Sequence, residues 1–512
     1  MAKKKKRKTS NSKKVSESPL RKAMKQKIES SKKAVAGPST NSAPIKMAVW
    51  GASPYVITGF GEVMKQILRN LFKDNPGQYE VFQIGINFVN QSYDESFITG
   101  GPSNGSYKQW PAFLPAANGA VDKRTIYGQR KFLDLLTELL PKVDLDVIFI
   151  FEDPFILGGP VPGTKDPIAM IDAFKLILKQ TKKEHIPIVS YYPIDGQPKP
   201  VWLHNLSKTD YPITYLQFGK KYSEDICPAL RGRVSVIPHG VDLTEFYPLP
   251  KEQTRTFKRA MFGERFADKF MFLNVNRNQL RKMIPSSLIA FREFKKQVPE
   301  SFLYLNMKAA DVGWHLPEVC ASLGLRVGED VLFPPDFNVQ KGLSLENLNK
   351  VFNSADALIS TALGGGWELA ITQAFSTKTT VIAPANTSHI ELCGPQTGEE
   401  ARGVLYNSGG NLSQYAFFPN DNEVLRPLPD LDDMLQKMLW VYNNPERCRQ
   451  VEDRAYKWVD SSLNWSKNIV PNFNQVFQSA ALKKRVACGQ AVKPTELEKE
   501  CQQDANIFVG TV

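Results

Sequence analysis

Short apolar runs alternate along this chain with longer stretches whose apolar residues recur every three to four positions. The runs at 47–50, 81–84, 147–151, 188–192, 213–216 and 234–237 have the length and character of buried strands. Helical spacing follows or separates several of them, over 129–140, 169–179 and 219–227. The same spacing appears in Val63, Met64, Ile67, Leu68 and Leu71 behind the first run. A second series begins at 271, with strands predicted at 271–275, 302–307, 331–333, 357–359, 380–383 and 403–406 and helices at 285–297, 345–353 and 367–375. Strands alternating with helices predict an α/β chain with parallel doubly wound sheets. Two such series predict two facing Rossmann-like domains with a cleft between them, where small ligands usually bind.

The pattern also marks boundaries. The expected organisation is a disordered basic tail over 1–44, a first Rossmann-like domain over 45–243, and a second over 244–428. Helices over 429–480 and a polar, fraying tail over 481–512 complete it. The polar stretch 90–122 reads as one long loop.

Charge sharpens the first boundary. The net charge is +13, but residues 1–45 hold fourteen Lys and Arg against Glu17 and Glu29, a net +12. The rest of the chain is therefore near neutral, about +1, and its overall charge does not suggest a nucleic-acid groove in the folded body. The tail opens MAKKKKRK, which fits a nuclear address, a tether to nucleic acid or to an anionic membrane, or a plain solubilising segment. No apolar run approaches the ~18 residues of a membrane helix; 143–151 is broken by Asp144 and Asp146. No apolar segment follows the basic start, so it does not read as a secretory signal. The six cysteines are scattered, without CxxC or zinc spacing, which fits a reducing compartment and no structural metal. The expected location is the cytoplasm, or the nucleus in a eukaryotic host.

Candidate chemistry collects where predicted strands give way to helices. The loop 276–282 carries Arg277, Arg281 and Lys282 between the strand 271–275 and a helix opened by Pro285. Cations and free backbone N–H groups at the carboxyl end of a parallel sheet suit a diphosphate. STALGGGWE places Gly364, Gly365 and Gly366 before Trp367 and Glu368, leaving N–H groups open to a phosphate or a sugar hydroxyl. Gly59 and Gly61 occupy the first strand-to-helix turn. Asp153, next to Glu152, then Asp195 with Gly196, then His239, Gly240 and Asp242 follow successive strands of the first half. Any single acid there is equally well a helix cap or turn former.

Together these landmarks resemble a GT-B glycosyltransferase of the large retaining family that includes sucrose-phosphate synthase. The resemblance covers about 46–478. IPHGVDLTEFYP, with His239, Gly240 and Asp242, is similar to the family's interdomain motif and is the most specific piece. RNQLRK supplies an Arg and a Lys five residues on, Arg277 and Lys282, and the resemblance implies that this pair holds the donor diphosphate, with Arg281 as a further candidate. ITGFG resembles the N-terminal glycine loop, so Gly59 and Gly61 are expected beside the diphosphate or the acceptor. GGGWELAITQAF resembles the donor block, which implies donor contacts from Gly364, Gly365, Gly366, Trp367 and Gln373. One departure stands out. The family's two glutamates, eight positions apart, fall here on Gly365 and Gln373, while Glu368 stands where a glycine is common.

The resemblance implies transfer of a sugar from a nucleoside diphosphate sugar to a hydroxyl acceptor, with retention, and with cations rather than a metal at the diphosphate. No cofactor beyond that co-substrate is expected. Asp153 or Asp195 would orient or deprotonate the acceptor, a glycan, a small molecule or a modified DNA base, and Glu368 would stand in for a missing glutamate. Two alternatives remain open at this stage: a nucleic-acid-associated protein acting through its tail, and a catalytically silent nucleotide-binding module.

Overall fold

The computed structural model describes residues 43–88, 92–112, 127–161, 168–335, 342–395, 398–419 and 421–490. The expected tail of 1–44 falls outside them apart from its last two residues, as does 491–512.

Seven strands form the first sheet: β1 Ile45–Ala52, β2 Tyr79–Ile86, β3 Gly105–Pro111, β4 Val147–Phe151, β5 Ile188–Tyr192, β6 Tyr211–Thr214 and β7 Ser235–Val236. They run parallel in the order 3-2-1-4-5-6-7. Six more, β8 Phe270–Asn274, β9 Ser301–Leu305, β10 Val331–Leu332, β11 Ala357–Ile359, β12 Thr380–Pro384 and β13 Val404–Tyr406, form a second parallel sheet in the order 10-9-8-11-12-13. A small antiparallel flap pairs β14 Tyr415–Ala416 with β15 Arg426–Pro427. Each parallel sheet carries one lobe, and both lobes belong to a unit that begins at Pro44.

Near-continuous apolar strands mean burial on both faces, as parallel sheets require. The period of two along β1 shows it: Met47 and Val49 enter one cluster, Ala48 and Trp50 another on the opposite face. The first of these clusters runs on without interruption into the second lobe through Ile371, Phe375 and Leu273.

Strand order reverses between β1 and β4 in the first lobe and between β8 and β11 in the second. Crevices outside the carboxyl ends of strands at such reversals are where open α/β sheets bind ligands. The turns that follow β1, β4, β8 and β11 therefore border these crevices.

Two expectations need correction. The stretch 90–122 is not one loop. Its described part holds a short helix, Ser96–Thr99, and β3, which extends the sheet edge beside β2. Tyr107 and Gln109 point inward from β3 and share hydrogen bonds, Tyr107 Oη reaching Gln83 and Gln109 at 2.8 Å each. A buried amide pair carries this inner face, so an apolar alternation is missing. Nor do the described residues after 480 fray. The last helix, Val470–Ala487, continues because Lys484 is fully buried and donates to Asp144 at 2.6 Å, while Arg485 pairs with Asp146 at 3.0 Å. Polar residues here mark ion pairs with the first lobe. Phe477 of the same helix lies 5.1 Å from Phe149 of β4, ring centre to ring centre.

Candidate functional site

Lys282 organises the second lobe's half of the site. After β8 the chain forms a short turn, Leu280–Lys282, and Met283 takes a left-handed conformation, φ +45°, before the helix Ile284–Gln297 starts. That reversal buries Lys282. Its Nζ donates to both oxygens of Glu368, at 2.5 and 2.7 Å. The turns after β8 and β11 are stitched together as well: Thr361 Oγ1 donates to the Lys282 carbonyl (2.9 Å) and the Leu363 N–H to the Arg281 carbonyl (2.7 Å). Burial pulls the Lys282 ammonium down to about 8, against the opposing pull of Glu368. Burial would also keep Glu368 protonated, but Lys282, with His389 and Arg281 beyond it, holds its carboxyl below the usual range.

The triglycine turn explains how Glu368 reaches Lys282. A Cβ on Gly365 would lie 2.2 Å from Glu368 Oε1, so the carboxylate occupies the space a side chain at 365 would take. Gly366 and Gly364 let the turn approach the first lobe. Their missing Cβ atoms would fall 2.7 Å from Pro193 Cβ and 2.1 Å from the Asp195 carbonyl oxygen.

Arg281 spans the cleft. Its Nη1 donates to the Gly364 carbonyl at 3.2 Å and its Nε lies 3.7 Å from Asp195 of the first lobe. Burial opposes ionisation of Asp195, but the guanidinium groups of Arg426 and Arg281 hold its carboxyl below the ordinary value. Asp153, after β4, behaves oppositely. Burial and then repulsion from Asp195 push its carboxyl up to about 7. The neighbouring Glu152 is buried too, accepts the Asp153 N–H at 3.1 Å, and is pushed upward by burial. Arg277 is not part of this group; its Nε pairs with Asp311 at 2.8 Å and its side chain is half exposed.

The remaining candidates divide by role. Gly59 starts the helix Gly59–Asp74 and faces the second lobe, its missing Cβ 3.6 Å from Leu369 Cδ1. Gly61 serves the turn itself: a Cβ there would meet the Val56 carbonyl oxygen at 2.4 Å, and its N–H is capped by Thr58 Oγ1. His239 is buried among Tyr191, Tyr215 and Trp367, with ring centres 5.5, 4.2 and 5.3 Å away. Tyr191 gives its hydroxyl proton to the Ile237 carbonyl, which assigns the His239 Nδ1–H as donor to the tyrosine oxygen at 2.7 Å. Burial lowers that imidazole to about 3, so it is neutral. Gly240 admits Trp465, whose Cδ2 would lie 2.6 Å from a Cβ. Asp242 caps its own turn through the Thr244 N–H at 2.9 Å. Gln373 lines a small pocket at the hinge together with Glu62, Gln66, Glu245 and Trp465.

The structure thus gathers Arg281, Lys282, Glu368, the three glycines, Asp153 and Asp195 in one crevice. It adds Arg426, which no local pattern flagged, because its partner Asp195 lies 231 residues away. Among the described residues no group of three or more His, Cys, Asp or Glu is placed to hold a metal ion, and no helix is long and apolar enough to cross a membrane.

No protein-family model matches the chain, and no curated protein matches it in sequence. Solved structures do. Sucrose-phosphate synthase from Thermosynechococcus elongatus superposes with a TM-score of 0.60 at 15% identity, over 85% of this chain and 98% of that one. HepE from Anabaena, in complex with UDP and glucose, gives 0.56 at 13% identity over 85% and 100%. A glycosyltransferase from Rickettsia africae gives 0.57 at 11% identity over 86% and 99%. With its two facing parallel sheets, the chain has the GT-B fold.

Proposed function

We propose that this chain is a glycosyltransferase that moves a sugar from a nucleoside diphosphate sugar to a hydroxyl acceptor, with retention and without a metal. The observation that carries the reading is the placement of Arg281 and Lys282 at the strand-order reversal of the second lobe, opposite Asp153 of the first. Three of the similar structures named HepE hold UDP, UDP with glucose, or UDP-glucose, which agrees with a nucleotide sugar as donor.

In this reading the bond from the sugar C1 to the β-phosphate oxygen breaks, and its electrons stay on the diphosphate. Arg281 and Lys282 balance that charge from positions fixed by the Gly364 carbonyl and by Glu368. Glu368 holds the Lys282 ammonium in place until the diphosphate shares it. The triglycine turn brings backbone close to the sugar. The acceptor oxygen bonds to C1 on the face the diphosphate leaves, and its proton passes to Asp153. Asp195 is shared between Arg426 and Arg281, so it balances the Arg281 charge only in part and leaves the rest for the diphosphate.

The test is turnover with a panel of UDP-, GDP- and ADP-sugars, reading both transfer and donor hydrolysis. Arg281→Ala should lose ~100-fold or more in kcat, the scale of one lost charge-stabilising donor. Lys282→Ala alone would strand a buried carboxylate, so Lys282→Ala with Glu368→Gln is the cleaner variant, with the same loss expected. NMR of the product anomer reads retention. Wild-type rates in both variants, or no turnover of any donor, would overturn the reading.

A further inference from the structure

We propose that Arg426 is a positioning residue of the cleft: from the flap of the second lobe it clamps the Asp195 loop of the first lobe and keeps the Asp195 carboxylate from neutralising Arg281. This deepens the sugar-transfer reading and rests on it for the role of Arg281.

The geometry is that of a two-sided fork. Arg426 is 2% exposed. Its Nε and Nη2 donate to the two oxygens of Asp421 at 2.7 and 3.0 Å, within its own lobe. Its Nη1 donates to the Asp195 carbonyl at 2.6 Å, and the Asp195 carboxylate lies 3.3 and 3.4 Å from Nη1 and Nη2. One planar guanidinium therefore joins carboxylates from both lobes, a task a lysine ammonium cannot copy.

The surroundings are shaped for this contact. A Cβ on Gly196 would fall 2.7 Å from Val424 Cγ1 and 3.0 Å from Arg426 Nη1. On the other side of the same loop, Gly364 admits the Asp195 carbonyl. The Asp195 loop is thus wedged between the triglycine turn and the flap. Two more contacts between the lobes lie on this flank. Lys199 meets Glu423 at 2.5 Å. Glu391 of the second lobe accepts the N–H groups of Gln217 and Phe218, which open the helix Gln217–Ile226 of the first, at 2.9 and 3.1 Å.

The consequence concerns Arg281. Asp195 is shared between two guanidinium groups, close to Arg426 and only 3.7 Å from Arg281 Nε. Remove Arg426, and Asp195 has one cation left. It then pairs fully with Arg281 and cancels the charge meant for a diphosphate. At the same time the flap loses its hold on the first lobe.

The experiment uses the full chain with spin labels at Val201→Cys and Leu412→Cys, both exposed, in a background carrying Cys488→Ser and Cys501→Ser. Pulsed dipolar spectroscopy reads the distance between the lobes, and calorimetric titration reads binding of UDP, GDP and ADP. Arg426→Gln should broaden and lengthen the distance distribution and weaken nucleoside diphosphate binding about tenfold, the scale of one charged hydrogen bond. Arg426→Lys should fall between, and confirms that the effect is not loss of folding if thermal melting stays close to wild type. Adding Asp195→Asn to Arg426→Gln should restore binding to within about threefold, because Arg281 is freed, while the distance stays open. A distance distribution unchanged in Arg426→Gln, or a double variant that binds no better than the single one, would overturn the proposal. If the parent chain binds none of the three diphosphates, the sugar-transfer reading falls, and the distance measurement alone decides whether Arg426 clamps the lobes.

Discussion

Two carboxyl groups on the first lobe, Asp153 and Asp195, look alike in sequence, and their surroundings set them apart. Asp195 has Arg426 and Arg281 and stays ionised; Asp153 has burial and the repulsion of Asp195, and its carboxyl rises to about 7. The group with the raised value is the one suited to accept a proton near neutral pH. The native state then keeps the Asp153 proton to higher pH than the unfolded chain, where an aspartate titrates near ~4. Between about 4 and 7 the native state binds more protons, so this group makes stability fall as pH rises. Transfer by the ionised base should instead rise through a pH near 7. Asp153→Asn is expected to remove that limb of the pH–rate profile with a loss of ~100-fold or more, and to flatten the fall in melting temperature with pH. Glu152, pushed the same way by burial, keeps part of the stability slope. A variant whose rate limb stays at the same pH would remove Asp153 from the proposed chemistry. The basic loop 276–282 was visible in the sequence, but not which of its cations enters the crevice. Met283 in a left-handed turn and Asp311 as a partner for Arg277 decide that, and neither leaves a local signature.

The elements were legible to different depths. Strands such as β1, β4, β5 and β8 are near-continuous apolar runs, and their positions followed from pattern alone to within a residue or two. β3 did not, since its inward face holds Tyr107 and Gln109, and its partner is another glutamine, Gln83. The turn after β11 was legible as glycine-rich, yet the reason for each glycine lies in space. Gly365 gives up its side chain so that Glu368, three residues on, can fill that volume and reach Lys282. Gly365→Ala should therefore disturb the ion pair rather than the turn, because its Cβ would stand 2.2 Å from Glu368 Oε1. The carboxylate must swing away, leaving two buried charges imperfectly paired. Loss of ~10-fold or more in kcat/KM and a lower melting temperature are expected. Removing both charges with Lys282→Ala and Glu368→Gln should raise the melting temperature relative to Gly365→Ala alone, since no buried charge is then left badly paired. If Gly365→Ala leaves kcat/KM unchanged, the carboxylate's position is immaterial.

At the scale of the whole molecule, the two sheets share one continuous apolar cluster, closed by the last helix. That helix follows the second lobe in sequence but is built into the first. Phe473 lies 5.0 Å from Tyr191, Phe477 5.1 Å from Phe149, and Tyr79 Oη donates to Asn474 at 2.5 Å. Trp465, just before it, fills the space left by Gly240, and the Val241 N–H donates to the Leu463 carbonyl at 2.7 Å. The hinge and the first lobe's core are thus completed by the same 25-residue stretch, 463–487. A sequence reading places helices there but gives no measure of how far the first lobe depends on them, because their partners are several hundred residues upstream. The dependence makes a prediction. If each lobe had its own complete core, weakening the last helix would split unfolding into two steps, the first lobe melting early and the second at its original temperature. With the cluster shared, both should move together. Phe477→Ala removes a fully buried ring, at a cost of ~3–5 kcal/mol. Scanning calorimetry of that variant should show one transition shifted down as a whole. A second transition remaining at the parent temperature would mean that the lobes are energetically separate, and that the last helix serves the first lobe alone.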